Sequence, residues 1–125
     1  MSTLNSIFST LAREEYCYLT TTGRVSGRPH EIEIWFGLQD RTLYLLAGSH
    51  NSDWVKNLRK NPAVTVRIAE HTFPGTARLV QDKAEDSRAR YLLAEKYQEW
   101  EAGKTLSQWA RTALPVAIDV TSSTT

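Results

Sequence analysis

Two segments of the chain carry the residue types with which a protein holds an anion. The first is Gly23-Arg24-Val25-Ser26-Gly27-Arg28-Pro29-His30. Its glycines permit a tight turn that exposes backbone N–H groups, and its two guanidinium forks match phosphate oxygens two at a time. The same residues would also serve an exposed hairpin turn kept soluble by arginine. It is neither a phosphate-binding loop with a Gly-Lys-Ser/Thr ending nor a dinucleotide fingerprint, because no helix follows it. The second segment is Ser49-His50-Asn51-Ser52, which leads into Trp54-Val55-Lys56-Asn57-Leu58. A polar loop opening a helix presents free N–H groups and the positive end of the helix dipole. As a plain connector it would instead be a capped loop, with Trp54 and Leu58 anchored in the core. Both segments start at the end of an apolar strand. That pairing suggests one phosphate-bearing ligand held between them.

Little else in the chain suits acid–base or nucleophilic catalysis, and no catalytic side chain is assigned. His30, His50 and His71 lack metal-ligand spacing, so no metal site is expected. Glu31 and Glu33 share one strand face and could pair as in a glycosidase, although a solvated face explains them as well. Ser49 is not in a nucleophile elbow. The single cysteine, Cys17, lies in the strand-like run Tyr16-Cys17-Tyr18-Leu19 and reads as a small core side chain, which rules out an internal disulfide. Any enzymatic chemistry is therefore expected to come from a bound cofactor.

The elements that would position these segments follow from periodicity. Leu4, Ile7, Phe8 and Leu11 recur at helical spacing after a cap at Ser2 or Thr3, giving an N-terminal helix within residues 1–14. Tyr16 to Thr22 reads as a strand, the glycine-rich segment as a turn, and His30 to Leu38 as a second strand with His30, Ile32, Ile34, Phe36 and Leu38 on one face. Thr42 to Ala47 is a third, almost wholly apolar strand. A short helix, Trp54 to Lys60, is capped by Ser52 or Asp53 and stopped by Asn61-Pro62. Val64 to Ile68 and Thr76 to Gln81 form a hairpin around the turn-like Pro74-Gly75. Asp82 and Glu85 have capping-box spacing, and Ala89, Leu92, Leu93, Tyr97 and Trp100 make a helical stripe after them. A weak helix over Leu106 to Arg111 and a strand over Pro115 to Val120 precede a frayed tail, 121–125.

This order predicts one α+β domain over residues 1–125, an antiparallel six-stranded sheet with flanking helices that buries its edges by curling into a small barrel. At 125 residues there is room for one core only. Fifteen basic against fourteen acidic residues leave a net charge of +1, which argues against a nucleic-acid or polybasic membrane surface. No apolar run approaches the ~20 residues of a membrane span, and Met1–Thr10 lacks the blocks of a signal peptide, so a cytoplasmic protein is expected.

Three runs together resemble a known family. Leu19-Thr20-Thr21-Thr22-Gly23-Arg24-Val25-Ser26-Gly27-Arg28-Pro29, then Leu45-Leu46-Ala47-Gly48-Ser49, then Trp54-x-x-Asn57-Leu58-x-x-Asn61-Pro62-x-Val64 are similar to the deazaflavin-dependent nitroreductases. These belong to the pyridoxamine-phosphate-oxidase-like, FMN-binding split-barrel group. The resemblance spans about Tyr16 to Val120. It implies a split barrel, a homodimer, and a deazaflavin (coenzyme F420) or FMN with its phosphate over the two segments. Arg24, Ser26, Arg28 and His30 would line the phosphate side; Ser49, His50 and Asn51 would approach the phosphate or ring; Trp54 and Asn57 would border it from the helix. Val25 and His30 stand where the family often has lysine and arginine, and the loop before Trp54 is shorter here. The implied activity is a nitroreductase-like oxidoreductase passing a hydride to a small electrophile such as a nitroaromatic, quinone or enone. The alternative is a non-catalytic flavin- or haem-type binding protein. Tyr97, Trp100 and Trp109 could wall the substrate side or simply pack the core.

Overall fold

A computed structural model describes residues 3–121, with side chains from Ile7 onward. Helix α1 (Thr3–Leu11) is followed by β1 (Cys17–Thr22), β2 (Pro29–Ile34), β3 (Gly37–Gln39) and β4 (Thr42–Ala47). Then come α2 (Asp53–Lys60), β5 (Ala63–Ile68), β6 (His71–Leu79), α3 (Lys83–Gln98), α4 (Gln108–Thr112) and β7 (Leu114–Val120). The strands form one antiparallel sheet in the order β2-β1-β5-β6-β7-β4-β3. It is a curled half-barrel, and it confirms the α+β antiparallel architecture. The expected cap at Ser2 and the tail from Ser122 lie outside the described residues.

The strand count is seven rather than six, and the reason is physical. The alternation from His30 to Leu38 is continuous in sequence, yet the ladder stops after Ile34. Tyr97 on α3 takes over the backbone of Phe36: its hydroxyl oxygen accepts from the Phe36 N–H at 3.0 Å and lies 2.9 Å from the Phe36 carbonyl. Lys96 Nζ donates to the same carbonyl at 3.0 Å and sits 3.6 Å from the centre of the Phe36 ring. Backbone groups spent on a helix cannot continue a ladder. At Gly37 a Cβ would fall 2.7 Å from Leu92 Cδ2, so glycine is what allows α3 to close on this corner. Burial holds the Lys96 ammonium down to about 8 and pushes the Tyr97 hydroxyl up to about 12.

The β5–β6 hairpin also turns elsewhere than expected. Ile68 pairs with His71 across Ala69-Glu70, and Ala69 takes the left-handed φ of 53°. Pro74 and Gly75 lie inside β6 instead. Gly75 lets β7 approach, since a Cβ there would stand 2.6 Å from Ile118 Cγ2.

The apolar run of β4 is explained by burial on both faces. Leu43 and Leu45 face the main core, with Phe8, Leu11, Leu19, Phe36, Leu58, Val66 and Ile118. Tyr44 and Leu46 face a second cluster made with Ala89 and Leu93 of α3. Each such leucine contributes about 1.5–3 kcal/mol by leaving water. Cys17 is fully buried and its thiol is pushed up to about 12 by that burial, so it is an inert core group. Asp82 caps α3 by accepting from the Glu85 N–H at 2.9 Å. Only half of the capping box forms, because the Glu85 carboxylate is engaged elsewhere. No helix among the described residues is long and apolar enough to cross a membrane.

Candidate functional site

The turn between β1 and β2 meets α2 at a cleft of about 480 Å³. Thr21, Gly23, Arg24, Val25, Ser26, His30, Glu31, Ile32, Asp53, Trp54 and Asn57 line it, so five of the nine expected site residues are together in one place. The turn is shaped from within. The Gly23 N–H donates to the Arg28 carbonyl at 2.8 Å, and the Gly27 N–H donates back to the Gly23 carbonyl at 2.9 Å, with Gly27 at a φ of 73° that favours glycine. Ser26 Oγ accepts from the Arg28 N–H at 3.1 Å, which leaves its own O–H free to donate.

Gly23 is required by what lies over it. A Cβ there would stand 2.6 Å from Ser26 Oγ and 2.8 Å from His30 Nε2. Two side chains with hydrogen to donate therefore converge on one wall of the cleft.

Asn57 joins the turn to the helix. It is 4% exposed; its Oδ1 accepts from the Arg24 N–H at 3.1 Å and from Arg24 Nη1 at 2.9 Å, and its Nδ2 donates to Thr21 Oγ1 at 3.3 Å. Arg24 continues to the start of α2, where Nη2 pairs with Asp53 Oδ1 at 3.2 Å. The Arg24 guanidinium is thus largely used inside the fold. Arg28 and His30 are exposed, and neither has a side-chain partner among the described residues.

Arg28, Ser49, His50 and Asn51 do not line the cleft. Ser49 organises its own loop instead: its carbonyl accepts from Ser52 Oγ at 2.8 Å and its Oγ accepts from the Asn51 N–H at 3.1 Å. Ser52 occupies the cap position of α2 without a side-chain capping bond, and Asp53, the other expected cap, serves as the partner of Arg24. Sequence reasoning missed Thr21 and Asp53 as parts of the site. The spacing of Asp53 and Asn57, four apart on a helix, was the available signal that both could face Arg24.

Of the expected aromatic wall, Tyr97 and Trp109 gather around a residue not singled out, Trp35. The Trp35 and Tyr97 rings stack at 4.3 Å and 1°, and Trp109 stands at 84° to Trp35 with centroids 5.6 Å apart. Trp100 lies elsewhere, stacked on Tyr91, with its indole N–H donating to the Lys104 carbonyl at 2.8 Å.

A second polar cluster, away from the cleft, ties three elements together. Arg78 binds Glu85 through two bonds of 2.7 Å and Asp119 at 2.7 and 3.2 Å. Tyr44 donates to Glu85 at 2.6 Å and Thr42 to Asp119 at 3.0 Å. These bonds, above all those from Arg78, hold the Glu85 carboxyl down to about 2 and also lower Asp119.

Solved structures share this fold while binding different cofactors. An F420-H2-dependent reductase aligns at 21% identity and TM-score 0.65, covering 83% of this chain and 93% of that one. A FAD-binding protein from Mesorhizobium loti aligns at 18% identity and TM-score 0.71 over 98% and 91% of the two chains. The haem storage protein HutZ from Vibrio cholerae aligns at 19% identity and TM-score 0.71 over 98% and 92%. At such identities the likeness establishes architecture alone. The family comparison goes further, because the model for F420H(2)-dependent quinone reductases matches residues 2–121. The chain belongs to that family, a family of oxidoreductases that use reduced F420.

Proposed function

We propose that this protein is a reductase that binds reduced F420 at the cleft between the Gly23–His30 turn and α2 and passes a hydride to a small electrophile such as a quinone, nitroaromatic or enone. The observation that carries this reading is the convergence of Ser26 Oγ and His30 Nε2 over Gly23, with Arg28 exposed on the same turn and its guanidinium without a partner among the described residues. That donor set fits a phosphate. The volume is also in the range of small-molecule sites. When bound, the deazaflavin supplies the hydride. The chain's own residues have other tasks: Ser26, Arg28 and His30 bind the anionic arm, Trp54 and Ile32 offer apolar surface, and Asn57 and Arg24 hold the turn at its distance from α2. Ser49, His50 and Asn51 remain assigned to the ring or phosphate only if their loop closes on the ligand.

FMN is a second reading at the same cleft. It is favoured by the pairing of Arg24 with Asp53, which leaves fewer free cations than a polyanionic cofactor would engage. Titration of F420 and FMN into the protein, followed by visible absorbance, separates the two. Saturable binding of F420, and its reoxidation from the reduced form on addition of a soluble quinone, is the expected result. Binding of FMN alone supports the second reading, turnover-free binding supports a sequestering role, and binding of neither overturns all three.

The same reading makes the protein a cytoplasmic homodimer. A protein of this fold at 21% identity and TM-score 0.67 forms a domain-swapped dimer, which supports the dimer; light scattering on the purified chain tests it.

A further inference from the structure

At the far end of β2 from the cleft lies a second, shallow cavity of about 420 Å³, lined by Tyr16, Glu33, Ile34, Trp35, Leu46, Gln98 and Trp109. Three of these are aromatic and one is a carboxylate. We propose that this cavity binds a small organic cation, of the quaternary or alkylated ammonium class, between the Trp35–Trp109 corner and the carboxylate of Glu33.

Three observations support this. The two indoles stand at 84° with centroids 5.6 Å apart, so an apolar cation entering the corner can meet two aromatic systems at once. Trp35 is already ordered before any ligand arrives. Its ring is stacked on Tyr97, and the Tyr97 hydroxyl is fastened to the backbone of Phe36 and lies 2.8 Å from the Glu15 carbonyl. A preordered ring loses little side-chain entropy on binding.

The third observation is charge. Glu33 accepts a hydrogen bond from Tyr18 at 2.8 Å but forms no ion pair among the described residues. Two cations on the elements around it are committed to other partners. Arg67 lies 4.2 Å over the Tyr18 ring and pairs with Glu31 at 3.6 Å, and Lys96 donates to the Phe36 carbonyl. A carboxylate with no counterion at the rim of an aromatic corner is complementary to a cation whose surface is largely apolar. A neutral planar ring would use the indoles and leave Glu33 idle.

Choline and its uncharged isostere 3,3-dimethylbutan-1-ol distinguish these cases. Each is titrated into the full chain by calorimetry, with tryptophan fluorescence as a second readout and Trp54→Phe as the background that removes the cleft's indole. Choline is expected to bind saturably and about tenfold more tightly than the alcohol. Glu33→Gln, which keeps an oxygen to accept from Tyr18, is expected to abolish that preference while leaving thermal stability and the alcohol's binding unchanged. Trp109→Ala is expected to weaken choline binding. Equal affinity for the two compounds, an unchanged preference in Glu33→Gln, or no saturation by choline overturns the proposal. None of these results depends on F420 binding, so this proposal and the proposed function fail separately.

Discussion

Arg24 and Arg78 both pair with carboxylates near the surface, yet their surroundings make them opposites. Arg78 is saturated: it holds Glu85 with two bonds and Asp119 with two more, and each carboxylate has a further donor in Tyr44 or Thr42. With Arg88 also acting on Glu85 and Tyr44, the charges of this cluster are spent on one another, and it acts as a clamp between β6, α3 and β7. Arg24 is held by one buried amide and one carboxylate that is 86% exposed, and on the same turn Arg28 and His30 have no side-chain partner among the described residues. Polar residues that satisfy one another make structure, whereas a donor set with unspent members is what the proposed site has to offer a ligand.

The largest effect is expected where the two kinds of region overlap, at Asn57. Asn57→Leu leaves the Arg24 N–H and Thr21 Oγ1 without their partner and should cost about 3 kcal/mol in urea denaturation, while also weakening F420 binding. A loss of binding with no loss of stability would show that Asn57 belongs to the site alone.

Arg78→Met should cost about 2 kcal/mol, since it leaves Glu85 and Asp119 facing each other, yet F420 affinity should be unchanged. A matching fall in affinity would break the contrast between the clusters.

Acid should expose the clamp as well. Glu85 sits at about 2 in the folded protein against an ordinary 4.5, and Asp119 is lowered too, so both bind protons more readily when unfolded. Their stabilisation is complete above about 4.5 and is lost as the pH falls toward 2. Thermal scans across that window should show a steep decline in the wild type and a shallower one in Glu85→Gln; equal slopes would mean that other carboxylates govern acid unfolding.

Much of the fold was legible because local pattern and burial agree. Thr42 to Ala47 is a strand with the bounds expected, its continuous apolar run reflecting cores on both faces. The misreadings came where tertiary contacts overrode pattern. The alternation through Trp35 and Phe36 gave no hint that Tyr97 and Lys96, some sixty positions later, would take the Phe36 backbone. Pro74-Gly75 carries turn chemistry but serves strand approach, while the true turn uses Ala69, a residue without a turn signature. At the site, Gly23–His30 and the Trp54–Asn57 face of α2 were legible from residue types, and they do meet. The Ser49–Asn51 loop has equally suitable residues but uses its hydroxyl and carbonyl on itself, which composition cannot reveal.

The most direct measurement compares F420 binding by the wild type and by the double variant Arg28→Ala, His30→Ala, with thermal melting recorded alongside. Neither side chain has a partner among the described residues, so melting should not move, while affinity should fall about a hundredfold through loss of two charge-assisted contacts. Undiminished F420 binding by the double variant would contradict the assignment of this cleft.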